Sequence, residues 1–422
     1  MNYFQYKDGI LHAENVSLAD LAAEVGTPFY CYSVATIVRH YNVFRDAVKR
    51  LDAKICYSAK ANSNPAVLQI IAKLGAGCDV VSGAELLLAL NAGFDPKHIV
   101  FSGIGKTENE LRSAVQSNVG QINIESESEL KLLSKVASEL RQSTTIAVRV
   151  NPDVSADTHE KISTGRKEDK FGIPIGKAQN IYTLAQNLPA VIPTGVAVHI
   201  GSQITDLAPF REAFTRVREF VELLRKDGFD IQTLDLGGGL GVPYNQAHDI
   251  IATPDAYGTM AQEVLGTLEC RTIFEPGRLI VGNAGVLVTR VIHTKHTTDR
   301  KFVIVDAGMN DMIRPAMYNA HHDVISLIEP NAKDVLETVE VVGPVCETGD
   351  RFLKDCELPS PERDHLLVLT TAGAYGAVMS STYNARPLIP EILVNDDQFA
   401  VVRRRQTFEE MTALTQLPDW LD

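Results

Sequence analysis

A lysine stands where an apolar strand ends, and it is the first residue of this sequence whose position suggests chemistry. The stretch KICYSAKANSNP, Lys54 to Pro65, predicts a short buried strand that runs into Lys60 and then into a turn. Burying an ammonium is costly unless the group is paired or loses its proton. A lone strand-end lysine usually extends to solvent. The alternative is an amine whose pKa is lowered by partial desolvation, so that it can form a Schiff base with a carbonyl group.

Two glycine-containing turns indicate a phosphate site. DLGGGLG, with Gly238 and Gly239, follows one apolar strand, and FEPGR, Phe274 to Arg278, follows the next. Glycine lets backbone N–H groups approach a phosphate closely, although a tight turn is the simpler explanation for each motif alone. The spacing matches neither GxGxxG nor a P-loop, so neither a dinucleotide nor a nucleoside triphosphate is indicated.

Further polar residues fall at strand ends. His199 in VAVHIGSQ can present its ring to a planar ligand, although a histidine among apolar residues is usually part of the core. Ser202 adds a short phosphate donor. A strand-end lysine, a phosphate site, a stacking histidine and the carboxylate of Glu275 together describe a pyridoxal phosphate pocket. Lys60 would hold the cofactor, and Glu275 would pair with the pyridinium nitrogen and keep it a strong electron sink.

The elements that must position these residues alternate between short apolar strands and amphipathic helical segments. This rhythm predicts βαβ units and a parallel sheet. Eight strands are predicted, namely KICYSAKA, GCDVVS, HIVFSG, QINIES, TIAVRVNP, GVAVHIGS, TLDLGGG and RTIFEPG. Eight strands favour a (β/α)₈ TIM-type barrel over an open doubly wound sheet, which stays the alternative.

The polar residues sharpen this choice, because barrels carry their chemistry at the C-terminal ends of the strands. The residues at or just beyond predicted strand ends are Lys60, Asp79, Arg149, His199, Gly237 to Gly239 and Glu275. Both glycine motifs follow strands seven and eight, which is the frequent phosphate site of barrels.

The sequence after Gly277 is β-rich and predicts a second, mostly antiparallel domain, a sandwich or small barrel. We therefore predict a pyridoxal phosphate-binding barrel at 27–280 and a β-rich domain formed by 281–422, with residues 1–26 packing on it. FYCYSVATI, Phe29 to Ile37, is interpreted as connecting material. The polar stretch Asn151–Phe171 is predicted to be a loop, and a loop of that length in a barrel is often a functional lid.

Composition and charge exclude several functions. The formal charge of −13 argues against binding to nucleic acid or to an anionic membrane through a basic surface. Six scattered cysteines without a CxxC pair predict reduced thiols, and His321 with His322 lacks the further ligands of a metal site. The first residues lack a secretory signal and no apolar run reaches about 20 residues, so we expect a cytoplasmic protein.

The motifs YSAKAN, HIGSQ, GGGLG, EPGR, GMNDMIRPAMY, CETGD and AGAYG occur in this order. The series resembles that of the diaminopimelate decarboxylases, in the fold-type III, alanine-racemase-like group of pyridoxal phosphate enzymes. The resemblance runs from about Thr27 to Arg405, and the later motifs carry its specificity. It implies decarboxylation of meso-2,6-diaminopimelate to L-lysine and CO₂, the last step of lysine biosynthesis.

The resemblance also implies a role for each matching residue. Lys60 would be the Schiff-base lysine, His199 would stack on the cofactor ring, and Cys346 would return a proton to Cα after decarboxylation. Cofactor contacts would come from Ser202, Gly238, Gly239, Glu275, Pro276, Gly277, Arg278 and Tyr375. Substrate contacts would come from Arg278, Arg314, Tyr318, Glu347 and Tyr375, with the two arginines and Tyr318 on the distal carboxylate and Glu347 on the distal ammonium. Cys346 and Glu347 would reach the pocket from the partner subunit of an obligate homodimer.

The chemistry of these residues suits such a substrate. An arginine fork matches a carboxylate in a bidentate manner, so two arginines and a tyrosine fit a substrate that keeps a second carboxylate. Taken alone, Arg314 and Tyr318 would be interpreted as a surface pair, and Cys346 as a buried thiol.

Three alternatives remain open. The first is a decarboxylase of ornithine, arginine or carboxynorspermidine. The second is an alanine racemase, which typically has an arginine where this chain offers Glu275. The third is a non-catalytic protein of the same fold, which would tend to lose groups such as Lys60 and Cys346.

Overall fold

The computed structural model describes residues 2–155, 164–165 and 169–421. These divide into two compact units, Met1–Ile37 with Pro243–Asp249 and Val281–Asp422, and Val38–Val242 with Ile250–Ile280. We call the first the β unit and the second the barrel unit. Much of the predicted lid at Asn151–Phe171 lies outside the described residues, namely 156–163 and 166–168.

Eight parallel strands close the barrel. They are β5 (Ala53–Ser58), β6 (Gly77–Val80), β7 (Ile99–Phe101), β8 (Gln121–Ile124), β9 (Thr144–Asn151), β11 (Val191–Ala197), β12 (Thr233–Asp235) and β13 (Arg271–Phe274). Each strand pairs with the next in this order, β13 pairs with β5, and a two-residue strand, β10 (Ile173–Pro174), pairs with β9. The predicted (β/α)₈ barrel is therefore confirmed, and the open sheet is excluded.

Helices connect the barrel strands, as parallel pairing requires. They are α3 (Pro65–Lys73), α4 (Gly83–Asn91), α5 (Glu108–Gln116), α6 (Glu127–Leu140), α7 (Ile175–Gln186), α8 (Ala208–Lys226) and α9 (Pro254–Leu265), and a further helix, α2 (Val34–Val48), precedes β5. Several begin at a side-chain cap; Thr107 and Glu110 form a reciprocal capping box on α5. These caps fix where each loop on the C-terminal face of the barrel becomes helix.

The β unit is mostly antiparallel, as predicted. Its strands are β1 (Phe4–Lys7), β2 (Ile10–Ala13), β3 (Val16–Ser17), β4 (Phe29–Ser33), β14 (Gly285–His296), β15 (Lys301–Val305), β16 (Val324–Ser326), β17 (Leu336–Val342), β18 (Arg351–Pro359), β19 (Leu366–Leu369), β20 (Glu391–Asn395) and β21 (Gln398–Arg403). Its helices are α1 (Leu18–Val25), α11 (Arg314–Tyr318) and α12 (Phe408–Thr412), and α10 (Arg278–Val281) spans the division between the units.

One segment differs from the sequence-based interpretation. Phe29–Ser33, expected to be connecting material, is the fully buried strand β4. It pairs antiparallel with β14 and parallel with β20, two strands that lie more than 250 residues away in the sequence. Because of this strand, the first 37 residues belong to the β unit, whereas the expected boundary lay at residue 27.

The N-terminal residues pack into the core of the β unit. Leu11 lies in one apolar cluster with Phe29, Val286 and Ile392, and its backbone N–H donates to the carbonyl of Leu327 at 2.9 Å. A second difference from the predicted boundaries is the short segment Pro243–Asp249, which also belongs to this unit.

Three properties concern the chain as a whole. All six cysteines are free thiols. In the described part of the chain, no group of His, Cys, Asp and Glu side chains has the arrangement of a metal site. No helix within the described ranges has the length and apolar character needed to cross a membrane.

Candidate active site

Lys60 forms an ion pair at the C-terminal face of the barrel. It lies in a 3₁₀ turn, Ala59–Ala61, directly after β5, and its Nζ donates to Asp79 Oδ2 at 2.7 Å. The hydroxyl of Ser58 donates to the same oxygen at 2.7 Å. Burial tends to raise the pKa of Asp79, but the Lys60 ammonium and these hydrogen bonds outweigh it and hold the pKa below its usual value. The structure therefore orients the amine through an anionic partner.

A cavity of about 270 Å³ opens beside this amine. Its lining includes Lys60, Arg149, His199, Asp235 and Glu275, all from the ends of different barrel strands. Four of the strand-end residues singled out in the sequence thus converge on one pocket, namely Lys60, Arg149, His199 and Glu275, as the parallel arrangement of the strands predicts.

His199 contributes an uncharged ring to the pocket. Its Nδ1 accepts a hydrogen bond from the backbone N–H of Gly238 at 3.1 Å, so this nitrogen carries no proton. Burial, reinforced by the positive charges of Arg149 and Lys60, lowers the pKa of His199 to about 3. A neutral ring can lie against a cationic heteroaromatic group without repulsion.

The glycine-rich turn leaves no room for side chains. Gly239 has φ +111°, and a Cβ there would stand 2.5 Å from the carbonyl oxygen of Gly201. A Cβ on Gly238 would stand 2.3 Å from the carbonyl oxygen of Glu275. The backbone therefore follows a path that only glycine permits, as expected of a loop that presents its N–H groups to a phosphate.

The FEPGR turn packs against the strand that carries the lysine. The carbonyl of Pro276 accepts the N–H of Ser58 at 3.2 Å, and a Cβ on Gly277 would stand 2.9 Å from the Cβ of Ala61. Arg278 is buried, and its Nη2 donates to Ser202 Oγ at 2.9 Å. Two residues predicted to bind phosphate or substrate are thus direct neighbours.

Glu275 has a buried oxygen with no protein partner. Its side chain is 6% exposed, and Oε1 accepts no hydrogen bond from the described part of the chain. Burial, followed by the nearby charges of Asp235 and Asp79, raises the pKa of Glu275 well above its usual value. Such a carboxyl suits a protonated nitrogen as its partner.

Sequence reasoning missed the polar layer beneath Glu275. Asp235, at the end of β12, accepts hydrogen bonds from Asn123 Nδ2 at 2.9 Å and Gln121 Nε2 at 3.2 Å. The signal was available in QINIES, where Gln121 and Asn123 alternate with isoleucines and therefore share one face of β8.

The expected substrate-binding residues Arg314 and Tyr318 lie in the β unit, at the two ends of α11. Arg314 is 4% exposed, so the interpretation as a surface pair is wrong for it. Its Nη1 lies 2.9 Å from His322 Nε2, and its guanidinium lies 4.5 Å from the centre of the Tyr244 ring. These contacts fix the plane of the guanidinium.

The CETGD turn is exposed, with Cys346 and Glu347 in the β unit. The carboxylate of Asp350 accepts backbone N–H groups from Val345 at 2.6 Å and Met309 at 2.7 Å, and it thereby closes the turn. Cys346 is not the buried thiol that its type alone would suggest. Tyr375, in the AGAYG motif of the same unit, is partly buried and has φ +56°.

The barrel residues fit pyridoxal phosphate. The fit rests on the amine of Lys60, the glycine path at 237–239, the neutral ring of His199 and the partnerless oxygen of Glu275. Each meets a different requirement of the cofactor: a covalent link, a phosphate cradle, a flat neighbour for the ring, and an acceptor for the protonated ring nitrogen.

Comparisons with known proteins agree with this fit. The family profile described as "Pyridoxal-dependent decarboxylase, pyridoxal binding domain" matches residues 34–282. Diaminopimelate decarboxylase of Vibrio cholerae is 47% identical over 98% of this chain and 99% of the relative. That of Zymomonas mobilis is 42% identical over 99% of both chains.

Solved structures show the same relationship in three dimensions. Diaminopimelate decarboxylase of M. jannaschii in complex with L-lysine superposes with a TM-score of 0.94 at 37% identity, covering 99% of this chain and 98% of that chain. The Helicobacter pylori enzyme complexed with L-lysine gives 0.90 at 39% identity, covering 94% and 98%. The chain therefore belongs to the diaminopimelate decarboxylase family of pyridoxal-dependent decarboxylases.

Proposed function

We propose that this protein decarboxylates meso-2,6-diaminopimelate to L-lysine and CO₂ with pyridoxal phosphate as its cofactor. The proposal rests on one observation: Lys60 and Glu275 line the same barrel pocket, where Oε1 of Glu275 accepts no hydrogen bond from the described residues. Full-length similarity to decarboxylases of this substrate supports the choice of reaction.

Several residues of the barrel pocket are assigned a role in binding the cofactor. When bound, pyridoxal phosphate supplies an electron sink for the pair left on Cα when CO₂ departs. Lys60 would hold the cofactor covalently, and Asp79 orients the amine and balances its charge when the amine is free. His199 would lie against the ring, Glu275 would accept a hydrogen bond from the protonated ring nitrogen, and the phosphate contacts would come from Ser202, Gly238, Gly239 and the turn Glu275–Arg278.

Further residues are proposed to bind the substrate. Arg278, Arg314 and Tyr318 would bind its distal carboxylate, which a guanidinium fork matches geometrically. Tyr375 contacts the cofactor and the substrate, Cys346 returns a proton to Cα, and Glu347 pairs with the distal ammonium. The contacts of the Arg314 guanidinium with Tyr244 and His322 support this role, because a guanidinium held in one orientation loses little entropy when it binds a carboxylate.

We further propose an obligate homodimer in which Cys346 and Glu347 serve the partner's pocket. The exposure of the CETGD turn in the single chain supports this assignment, because both side chains are available to a second copy. A cytoplasmic location agrees with the six free thiols, since reduced cysteines persist in that compartment.

A product assay tests the function. Purified protein loaded with pyridoxal phosphate is incubated with meso-diaminopimelate, ornithine, arginine and carboxynorspermidine, and CO₂ and the amine product are quantified. We expect CO₂ and L-lysine in equal amounts from meso-diaminopimelate and far slower turnover of the others. Preferential turnover of another amino acid, or full activity of Arg314→Ala, would contradict the substrate assignment.

A further inference from the structure

Asp235 is a buried carboxylate with an unusually complete set of donors. It is 1% exposed, and its Oδ1 accepts the backbone N–H of Gly237 at 3.0 Å. Its Oδ2 accepts hydrogen bonds from the amides of Asn123 and Gln121 on β8, which lies three strands away in the barrel. Three donors stabilise a carboxylate anion, so the site is built for a charged Asp235.

Asp235 is also joined to Glu275. The two strands that precede them are neighbours in the sheet, and the backbone N–H of Glu275 donates to the carbonyl of Gly237 at 2.8 Å. Burial raises the pKa of both carboxyls, that of Asp235 to about 6 and that of Glu275 well above its usual value, so the pair favours holding one proton. That proton resides on Glu275, because the donors around Asp235 favour its anion.

The charges around this pair favour a cation. Asp79, Asp235 and Glu275 are three buried carboxyls at the same end of the barrel, and Lys60 is the cation paired with Asp79. Arg149 lines the same cavity, but its guanidinium is paired with Glu125 at 2.9 Å. The ring of His199 is neutral, and the thiol of Cys56, whose pKa burial and the carboxyls of Asp235 and Glu275 raise, brings no positive charge. A protonated ring nitrogen beside Glu275 would compensate the excess of negative charge.

We propose that Asp235 is a positioning residue for Glu275. Asp235 holds the Glu275 carboxyl so that Oε1 faces the cofactor, and Asp235 supplies the negative charge that keeps the ring nitrogen protonated. The inference rests on the proposed function, because it assumes that pyridoxal phosphate occupies this pocket. It gives a role to a residue at the start of the DLGGGLG stretch to which the sequence analysis assigned none.

The protonation state of the ring nitrogen tests the proposal directly. Holoenzyme is prepared with cofactor labelled with ¹⁵N in the ring, and the ¹⁵N chemical shift is followed with pH in wild type, Asp235→Asn and Glu275→Gln. In Asp235→Asn we expect the nitrogen to lose its proton at a pH lower than in wild type by about one unit or more, the size of shift that a nearby buried charge produces. Glu275→Gln should lower it further.

Asn123→Ala is the matched control. It disturbs the same buried layer and removes one donor to Asp235 but no charge, so a purely structural role for the layer predicts equal effects in Asn123→Ala and Asp235→Asn. We expect the ring nitrogen of Asn123→Ala to stay protonated at neutral pH. If Asp235→Asn does not fold, Asp235→Ser removes the same charge with a smaller side chain.

The outcomes separate this inference from the function on which it rests. A wild-type pH profile in Asp235→Asn or Asp235→Ser, together with an altered profile in Glu275→Gln, would overturn the role of Asp235 and leave the cofactor site intact. Failure of wild-type protein to bind pyridoxal phosphate at all would overturn the proposed function itself.

Discussion

The ion pair between Lys60 and Asp79 joins two groups of different exposure, with the lysine side chain 34% exposed and the aspartate fully buried. Its stability therefore depends mainly on the carboxylate, which would be left buried and uncompensated if the amine were removed or redirected. When Lys60 holds a cofactor, the hydroxyl of Ser58 still donates to Asp79 Oδ2 and compensates part of this cost.

Replacing Lys60 is expected to abolish covalent cofactor attachment. Lys60→Ala should lower decarboxylation by about three orders of magnitude or more, since the residue acts as a covalent catalyst. Borohydride reduction and peptide mapping should place the pyridoxyl group on Lys60 in wild type and on no residue in the variant. Lys54→Ala, at the opposite end of β5, is the matched control and should retain the tag. A tag on another lysine of wild type would refute the assignment.

His199 makes the cofactor-free protein sensitive to acid. Burial is the main reason that the pKa of His199 in the folded state is lowered to about 3. Below pH 6.5, the ordinary pKa, this histidine therefore binds a proton in the unfolded chain but not in the folded protein. The stability associated with the neutral ring is present above pH 6.5 and is lost as the pH falls toward 3. When the pH falls from 7 to 4, the unfolding free energy of wild type should therefore decrease by about 3 kcal/mol more than that of His199→Phe.

Denaturant unfolding of the cofactor-free proteins at fixed pH values measures this difference. His98→Gln is a suitable control in the same unit, because the His98 side chain is 46% exposed. It should follow the wild-type profile closely. Parallel pH profiles for His199→Phe and wild type would show that the ring titrates freely in the folded state.

At the scale of elements, the turn after β12 combines backbone strain with function. Gly239→Ala places a Cβ at φ +111° and 2.5 Å from the carbonyl of Gly201. We expect it to lower the unfolding free energy by about 1–3 kcal/mol and to weaken pyridoxal phosphate binding, because the loop must shift to relieve the contact. Equilibrium unfolding and a cofactor titration measure the two effects.

Gly176→Ala provides the comparison within the same unit. Gly176 lies in α7, and a Cβ there meets nothing within 4 Å. Helix propensity predicts that alanine stabilises this position by up to about 1 kcal/mol, with no change in cofactor affinity. Unchanged affinity in Gly239→Ala would mean that the turn serves packing alone and does not hold the phosphate.

The elements that the sequence predicted well are those whose partners are close along the chain. Each barrel strand lies beside its neighbour in the sequence after one helix, so alternation of apolar strands and amphipathic helices sufficed. Strand β4 was missed because both its partners, β14 and β20, are remote in the sequence and its flanks carry no strand signal. Such a strand is specified by long-range pairing and not by a local pattern.

The candidate site divides in the same way. Residues at strand ends, such as Lys60, His199 and Glu275, were placed correctly at one face of the barrel, because the end of a strand is visible in the sequence. The proximity of Asp235 and Glu275 was not predicted, because which side chains of neighbouring strands lie side by side depends on the strand register. Tyr244 and His322, which both contact Arg314, come from segments about 70 residues apart in the sequence, and no motif marks these contacts.

At the scale of the whole molecule, the proposed homodimer would combine Lys60 of one subunit with Cys346 of the other. Closed twofold symmetry gives two equivalent pockets, and each would take its lysine from one subunit and its cysteine from the other. The assembly therefore makes a prediction that a monomeric enzyme cannot share, namely that two inactive chains can together build an active pocket.

Mixing inactive variants tests this arrangement. Lys60→Ala and Cys346→Ala chains are combined in equal amounts, exchanged under mild denaturation, and assayed for CO₂ release. Random pairing makes half of the dimers hybrids with one intact pocket of two, so the expected recovery is about one quarter of wild-type activity. Lys60→Ala mixed with the Lys60→Ala, Cys346→Ala double variant is the control, because every pocket then lacks its lysine. Absence of recovery in the first mixture, after tagged subunits prove that exchange occurred, would mean that each chain builds its pocket alone.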